Sequence, residues 1–365
     1  MRNNQRKKIK ILILFGARPN FIKIAPLIEE FKKYKTFNLV LVHTGQHYNY
    51  EMSQLFFQDL KIPEPDYNLG VGSGSHAKQT AKIMEKLEPI VLKEKPNLVI
   101  VVGDVNSTLA GALTAAKLYI PVAHIEAGMR SYDKTMPEEI NRVLTDHISD
   151  FLFCPTKTAV KNLEKEAFKK GVYNVGDIMY DAFLKNIKIA EMKSNILQKV
   201  NLKAKEYILL TIHRASNTDN LGNLKKIITA LEESGEKIIF PIHPRTKKQL
   251  KKLSLKIKNC KLKIISPIGY LDMLILEKNA KKILTDSGGV QKEAYWLRVP
   301  CITLRNATEW VETLKKSWNI LVGTEKKKII KAIKRPLPKR PQRKYFGNGK
   351  TARIIIKIIL NSYGK

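Results

Sequence analysis

Apolar residues in this chain fall into two patterns that alternate along its first half. Short, nearly continuous apolar runs are typical of buried parallel strands, and they occur at Ile9–Phe15, Leu39–Val42, Leu98–Val102, Val122–Ile125 and Phe151–Cys154. Stretches with helical spacing of apolar residues lie between them, at Phe21–Lys32, His76–Lys93, Thr108–Leu118 and Glu138–Ile148. Strands that alternate with helices predict a doubly wound α/β domain.

The alternation begins again in the second half of the chain. A long polar helix is predicted at Asp181–Lys199, and further strands at Tyr207–Ile212, Ile238–Pro241, Leu262–Ile265, Ile283–Thr285 and Cys301–Leu304. The Pro-rich basic segment Arg335–Arg343 predicts an exposed linker, and Thr351–Leu360 a last helix. A chain of 365 residues is long enough for two such domains, which we place at residues 1–177 and 178–350.

The chain is strongly basic, with 66 Lys and Arg against 33 Asp and Glu and a formal net charge of +33. Such a charge has two interpretations: a surface that binds the phosphates of nucleic acid, or a Lys-rich surface that is simply solvated. The basic residues are spread along the whole chain and form no single arm, which favours the second interpretation. We therefore expect no nucleic-acid partner.

Cysteine usage and the N-terminus indicate the compartment. The three cysteines lie in or beside predicted strands, without the spacing of a metal site or of a disulfide framework, at Cys154, Cys260 and Cys301. The first ten residues run into a strand without a separate apolar segment and cleavage site. No stretch has the length and apolarity of a membrane span. These features predict a cytoplasmic protein with no membrane insertion.

The residues that follow the predicted strands are unusually polar. Ligands of open α/β sheets bind at the carboxyl ends of the strands, where this chain has Arg18, Lys23, His43, Gln46, His47, Asp104, Glu126, Arg130, His213, Arg214 and His243. Each of them alone has an ordinary interpretation; Asp104, for example, is well placed to cap the helix that follows it. Their common position at strand ends predicts a ligand site.

The segment DSGGVQKE is the most specific of these positions. Asp286 ends a strand, and Gly288 and Gly289 allow backbone amides to approach a ligand at the start of the helix Val290–Leu297. Such a helix N-terminus suits a diphosphate, and Glu293 lies one turn further on, within reach of ribose hydroxyls. The alternative is an ordinary strand–turn–helix with a Gly-rich cap. The chain has neither a Walker-type phosphate loop nor an HExxH pattern, so we expect no nicotinamide and no metal.

Taken in order, nine segments resemble the non-hydrolysing UDP-N-acetylglucosamine 2-epimerase family. They extend from Gly16 to Ala352 and read GARPNFIK, TGQHY, VVGDVNST, HIEAGMR, MPEEINR, LTIHRASN, PIHPR, LTDSGGVQKEA and FGNGKTA. The resemblance implies a glycogen-phosphorylase-like (GT-B) architecture, in which two Rossmann-like domains face a cleft that holds the nucleotide sugar. It also implies a homodimer, a C-terminal helix at residues 351–365 that packs back on the first domain, and no cofactor.

The resemblance also assigns roles to residues. The substrate-binding residues of the family correspond here to Arg18, Lys23, Ser287, Gly288, Gly289 and Glu293. Its catalytic acids correspond to Asp104, Glu126 and Glu138, and its catalytic histidine to His213. Some relatives bind a second, regulatory UDP-GlcNAc through positions that match Gln46, His47, Arg214 and His243.

The chemistry explains why such residues are required. The C2 proton of UDP-GlcNAc is not adjacent to a carbonyl, so it becomes acidic only when the C1–O bond to UDP breaks. A carboxylate then removes it, giving 2-acetamidoglucal, and return of a proton to the opposite face with re-addition of UDP gives UDP-ManNAc. Cations and helix-end amides hold the departing UDP, and acid–base groups are needed on both faces of the sugar.

Two departures from family patterns bear on alternative functions. Retaining GT-B glycosyltransferases often carry two Glu eight positions apart. Here the second corresponds to Glu293, but Thr285 stands at the position of the first, which counts against glycosyl transfer.

Trp310 stands where the epimerases commonly have Arg. Either Trp310 packs against the domain while Arg305 or Lys292 supplies the charge, or the pocket accepts a modified sugar such as UDP-2,3-diacetamido-glucuronate. A hydrolysing epimerase would share the fold and differ in its product.

Overall fold

A computed structural model of the protein describes residues 8–46, 60, 62–253 and 261–363. Contacts between residues divide the chain into two compact units, Met1–Lys185 with Lys344–Lys365, and Asn186–Arg343. Each unit contains one parallel sheet with helices between successive strands. The predicted α/β class with two doubly wound sheets is confirmed.

The sheet of the first unit contains seven described strands. They are β1 (Ile9–Phe15), β2 (Phe37–His43), β3 (Tyr67–Asn68), β4 (Leu98–Val102), β5 (Val122–Ile125), β6 (Phe151–Cys154) and β7 (Val172–Asn174). Their spatial order is β3-β2-β1-β4-β5-β6-β7, and every pair of neighbours is parallel. All five residues of β4 are buried, as expected for a central strand with helices on both faces.

The helices of the first unit follow its strands. They are α1 (Arg18–Phe31), α2 (His76–Glu94), α3 (Asn106–Lys117), α4 (Pro137–His147) and α5 (Lys157–Lys165), followed by α6 (Ile178–Lys193), which begins in the first unit and ends in the second. The last helix of the chain, Thr351–Tyr363, packs on α1. Its first turn is held by Asp181, which accepts the Ala352 N–H at 2.9 Å, and its last turn by the Tyr363 hydroxyl, which donates to the carbonyl of Asn97 at 2.9 Å.

The second unit repeats the arrangement with six described strands. They are β8 (Ile208–Thr211), β9 (Ile238–Pro241), β10 (Leu262–Ile265), β11 (Lys282–Thr285), β12 (Cys301–Thr303) and β13 (Asn319–Leu321), in the order β10-β9-β8-β11-β12-β13. The helices are α7 (Ile196–Lys199), α8 (Ala215–Thr218), α9 (Leu221–Ser234), α10 (Pro244–Lys252), α11 (Tyr270–Asn279), α12 (Gly288–Trp296), α13 (Val311–Leu314) and α14 (Lys326–Lys334). The last helix of the chain is therefore α15.

Two sequence predictions need correction. The predicted helix Asp181–Lys199 is two helices, because α6 ends at Lys193 and Ser194 turns the chain by accepting the Ile196 N–H at 3.3 Å. The short strands β3, β7 and β13 were not predicted, since two or three residues carry too little apolar pattern. Arg335–Arg343 has no helix or strand and is largely exposed, as predicted.

The topology identifies where a ligand would bind in each unit. In both sheets the winding direction reverses between two adjacent central strands, β1 and β4 in the first unit and β8 and β11 in the second. Ligands of doubly wound sheets bind outside the carboxyl ends of the strands at this reversal. The loops after these four strands are therefore the candidate sites. Among the described helices, none is both long and apolar enough to cross a bilayer.

Candidate active site

Asn20 ties together the two loops at the winding reversal of the first unit. Its side-chain oxygen accepts the backbone N–H groups of Gly16 at 3.2 Å and Ala17 at 3.0 Å, just after β1. Its amide donates to the carbonyl of Val102, the last residue of β4, at 2.9 Å. This buried side chain therefore fixes the start of α1 against the end of the neighbouring strand.

Lys23 and Glu126 form a buried ion pair beside these loops. The Lys23 ammonium donates a short hydrogen bond to Glu126 Oε2. The pair fits because Gly103 approaches it with φ of +75°; a Cβ there would lie 3.0 Å from Lys23 Nζ. Glu126 itself has φ of +79°, a left-handed conformation that costs energy for any residue with a Cβ. Strain of this kind is common where side-chain placement has a function.

Asp104 follows Gly103 and has a raised pKa. Arg142 Nη1 donates to its carboxyl at 3.0 Å, and its side chain is 30% exposed. Burial of the carboxyl raises the pKa of Asp104; Arg142 and Lys23 oppose this, while the nearby carboxylates of Glu138 and Glu126 add to it. The net effect is a raised pKa, so Asp104 retains its proton to a higher pH than an ordinary aspartic acid.

Of the two adjacent acids at the start of α4, only Glu139 is held by several hydrogen bonds. It is buried and accepts the N–H groups of Ser131 at 2.9 Å and Tyr132 at 2.8 Å, and Nε of Arg142 at 3.0 Å. Glu138 is half-buried, and within the described part of the chain its side chain makes no hydrogen bond. Glu139 therefore anchors the loop, and Glu138 is the acid available to a ligand.

The region after β2 contains the predicted regulatory positions of the first unit. Gln46 Oε1 accepts the Ser107 hydroxyl at 2.6 Å and the Ser107 N–H at 3.3 Å, so Gln46 contacts the start of α3. The Thr44 hydroxyl lies 2.8 Å from the same Ser107 hydroxyl. His47 and the side chain of Arg18 lie outside the described residues.

Asp286 organises the winding reversal of the second unit. This fully buried side chain, at the end of β11, accepts the backbone N–H of His213 at 3.1 Å and of Arg214 at 3.0 Å, and the Asn217 amide at 3.1 Å. The His213 ring is 41% exposed, with Nε2 3.9 Å from Asp286 Oδ1, and lies near the His243 ring at 5.8 Å between centroids. Asp286 thus places the loop that carries His213 and Arg214.

The Ser-Gly-Gly turn begins α12 as predicted. The Ser287 N–H donates to Thr285 Oγ1 at 2.9 Å, and Gly288 lies so close to Glu309 that a Cβ would be 2.6 Å from its Oε1. Backbone amides at the start of such a helix favour an anion. Glu293 is buried one turn later and accepts the Tyr270 hydroxyl at 2.8 Å.

Trp310 packs inside the second unit. The residue is 4% exposed, and the Lys292 ammonium lies over its ring, 3.7 Å from the centroid. Arg305 pairs with Glu309 through both terminal nitrogens, at 2.8 and 3.3 Å, and Arg214 Nη2 lies 3.7 Å from the same carboxylate. The two cations considered in place of the missing Arg are thus both engaged near Trp310.

Sequence reasoning gave no role to several residues that hold the site together. They are Asn20, His124, Glu139, Asn141, Arg142 and Asp146. Asp286 was placed at the end of its strand, but its contacts with the His213 loop were not predicted. Several stand inside the quoted motifs, such as the last Asn of GARPN and the Arg of EEINR. Their signal was weak because an Asn or Asp beside a helix start usually has only a capping role. Among the described residues, no three His, Cys, Asp or Glu side chains are grouped to hold a metal ion.

The fold and these polar loops define a Rossmann-like α/β protein with two doubly wound units, each with charged side chains at its winding reversal. Within that class, the chain belongs to the UDP-N-acetylglucosamine 2-epimerase family. The family's sequence profile matches residues 29–360, and thus most of both units.

Three comparisons extend this assignment. A UDP-N-acetylglucosamine 2-epimerase homolog of Methanococcus maripaludis is 56% identical over 97% of this chain and 100% of its own length. The Pseudomonas aeruginosa UDP-2,3-diacetamido-2,3-dideoxy-D-glucuronate 2-epimerase is 43% identical over 92% and 94%. The crystal structure of Methanocaldococcus jannaschii UDP-GlcNAc 2-epimerase, in complex with UDP-GlcNAc and UDP, superposes with a TM-score of 0.92 at 49% identity, covering 97% of this chain and 100% of that one.

The role of Asp286 predicts a loss of stability on a nearly isosteric change. Asp286→Asn removes the charge that strengthens these hydrogen bonds and turns a buried NH₂ group toward the His213 N–H, which is also a donor. We expect the free energy of unfolding to fall by about 1–3 kcal/mol, measured by urea unfolding. The control is Asp219→Asn at an exposed pair with Arg245, where a change within about 0.5 kcal/mol is expected. Equal effects of the two substitutions would contradict the role of Asp286.

Proposed function

We propose that the protein interconverts UDP-GlcNAc and UDP-ManNAc by elimination and re-addition of UDP. The observation that carries this proposal is the cluster of carboxyl groups at the winding reversal of the first unit, in a chain of this family. Asp104, with its raised pKa, suits a proton donor. Glu126, held beside the Lys23 ammonium, suits a carboxylate that accepts a proton.

The proposed steps use these groups in sequence. The C1–O bond breaks, UDP leaves with the bonding electrons, and a carboxylate removes the C2 proton to give 2-acetamidoglucal. A second acid then returns a proton to C2 from the other face as UDP adds back to C1. Asp104, Glu126 and Glu138 are the candidates for these transfers, because a carboxyl group with a raised pKa and a carboxylate paired with a lysine suit an acid and a base.

The remaining site residues are proposed to hold UDP. Backbone amides at the start of α12 suit the diphosphate, which carries the developing charge when the C1–O bond breaks; the residues concerned are Ser287, Gly288 and Gly289. Glu293 is proposed to bind the ribose, and Arg18 and Lys23 to contribute positive charge. His213, placed by Asp286, is the fourth catalytic candidate.

Two further predictions from the sequence stay proposals. A second UDP-GlcNAc would bind through Gln46, His47, Arg214 and His243; Gln46, after β2, contacts Ser107 in the first turn of α3, and Arg214 lies on the loop after β8. The protein would act as a homodimer. Closure around a substrate would make coupling between such sites physically reasonable.

A second candidate substrate is UDP-2,3-diacetamido-glucuronate. It is favoured by Trp310 in place of the common Arg, and by the 43% identity to a relative named for that activity. The buried packing of Trp310 under Lys292 supports the simpler explanation, in which the aromatic ring serves the domain core. We therefore place UDP-GlcNAc first.

The mechanism predicts exchange with solvent at C2. In D₂O, UDP-ManNAc formed from UDP-GlcNAc should carry deuterium at C2 without any added nicotinamide, and UDP with 2-acetamidoglucal should accumulate slowly on long incubation. Mass spectrometry and NMR of the products measure both. Retention of the original hydrogen at C2 would rule out the elimination mechanism, and release of free ManNAc would indicate a hydrolysing enzyme.

The carboxyl groups should be required for turnover rather than for nucleotide binding. Asp104→Asn, Glu126→Gln and Glu138→Gln are each expected to lower kcat by about 10²–10⁴, with the Kd for UDP, measured by calorimetry, nearly unchanged. Glu85→Gln, at an exposed position on α2, is the matched control and should be fully active. Near-normal activity of the three site variants would show that these acids serve only as helix caps and as partners in ion pairs.

Specificity distinguishes the two candidate substrates. We expect kcat/KM to be higher for UDP-GlcNAc than for UDP-2,3-diacetamido-glucuronate when both are assayed with the same enzyme. A preference of about a hundredfold or more for the uronate, roughly 2.7 kcal/mol of transition-state discrimination, would change the substrate assignment and leave 2-epimerisation standing. Trp310→Phe, which keeps an aromatic ring beside Lys292, is the control for packing.

A further inference from the structure

His124 is a buried histidine with both ring nitrogens engaged. It lies in β5, two residues before Glu126, and is fully buried. Nε2 is 2.7 Å from the carbonyl oxygen of Gly103, and Nδ1 is 2.6 Å from Asp146 Oδ1. A carbonyl oxygen only accepts hydrogen bonds, so Nε2 carries a proton and donates it.

Asp146 is the partner of the ring at Nδ1. Its other oxygen accepts the Gly128 N–H at 3.0 Å and Arg130 Nη1 at 2.7 Å. Burial raises the pKa of Asp146, but His124 and Arg130 outweigh burial and hold the pKa below its ordinary value. The two ring nitrogens of His124 therefore face a carbonyl oxygen on one side and a carboxylate on the other.

The contacts of His124 belong to a larger polar network. Arg130 also forms a two-point hydrogen bond with Glu166, at 2.7 Å for each contact. His124 and Arg130 thus share Asp146, and Arg130 joins it to Glu166. Buried polar networks of this kind add little stability compared with apolar side chains of the same volume, because desolvation costs as much as the attraction returns. Stability alone therefore gives a weak reason for a histidine inside β5.

The network ends on the two loops that carry the proposed acids. The Gly103 carbonyl belongs to the peptide that joins Gly103 to Asp104, and the Gly103 N–H donates to the carbonyl of Ile125 at 2.9 Å. Gly103, whose backbone has the left-handed conformation, therefore has hydrogen-bond partners for both its N–H and its carbonyl group. On the other side, Asp146 holds the N–H of Gly128, two residues after Glu126.

We propose that His124 is a positioning residue which, through its two ring nitrogens, links Asp146 to the Gly103 carbonyl and thereby sets the positions of the Asp104 and Glu126 carboxyl groups. This inference rests on the proposed function, because those carboxyl groups are its candidate acid and base. Displacement of a reacting group by about 1 Å can cost about 10² in rate. His124 touches neither carboxyl group and acts through the backbone.

Two substitutions distinguish the contact of His124 with the Gly103 carbonyl from its contact with Asp146. Glutamine can place an NH₂ group where His124 Nε2 lies and still donate to Gly103, whereas asparagine can replace only the Nδ1 contact with Asp146. We expect His124→Gln to keep kcat within about tenfold of the wild type and His124→Asn to lower it by about 10² or more, with Kd for UDP changed less than threefold in both. Equal activity of the two variants, or higher activity of His124→Asn, would overturn the proposal. Loss of folding or of UDP binding in both would assign His124 a structural role instead.

A measurement on the unaltered protein tests the contact with Gly103 independently. With ¹⁵N-labelled histidine and the His124 signals assigned by comparison with His124→Gln, Nε2 should carry a proton that exchanges slowly with solvent. An Nε2 without a proton would overturn the proposal whatever the variants do. Wild-type protein that fails to epimerise either UDP-sugar would contradict the proposed function, while the NMR result would still decide whether His124 donates to the Gly103 carbonyl.

Discussion

The structure depends on satisfying the backbone groups of the loops that leave the central strands. Where the strands end at the winding reversals, the N–H and C=O groups of these loops need partners that the sheet no longer provides. Asn20 supplies them in the first unit, by accepting two N–H groups after β1 and donating to the end of β4. Asp286 supplies them in the second, by accepting the N–H groups of His213 and Arg214. These two side chains therefore tie the loop after one central strand to the end of the neighbouring one.

The same contacts set the charges of the site. Lys23 pairs with Glu126, and Arg142 lies between Asp104 and Glu139, so several carboxyl groups share few buried cations. Burial and the neighbouring carboxylates leave Asp104 with a raised pKa. Glu126, on the loop after β5, is instead paired with the Lys23 ammonium. The contacts that hold the loops together thus give two neighbouring carboxyl groups different electrostatic surroundings.

The sequence predicted the central strands and the positions after them, because apolar runs such as Leu98–Val102 have few other interpretations. It did not predict which side chains form hydrogen bonds with one another. Lys23 was expected to bind substrate, and the contact that the structure gives it, with Glu126, joins positions 103 residues apart. Asn20 and Asp286 were missed as anchors because residues of these types beside a helix usually have only a capping role. The sequence shows which residues follow a strand, but the side chains they contact depend on the order of the strands in the sheet.

Trp310 shows how a departure from a family pattern can keep the electrostatics of a site. Loss of an Arg at this position removes a cation, yet the Lys292 ammonium lies 3.7 Å from the centroid of the indole ring that replaces it. The face of an indole stabilises a desolvated cation by about 2 kcal/mol in favourable geometry, so the ring allows a lysine to remain buried there. Glu309 is held nearby by Arg305. Positive charge close to the start of α12 is thus carried by a different residue, and an aromatic side chain in place of Arg does not by itself require a different anionic substrate.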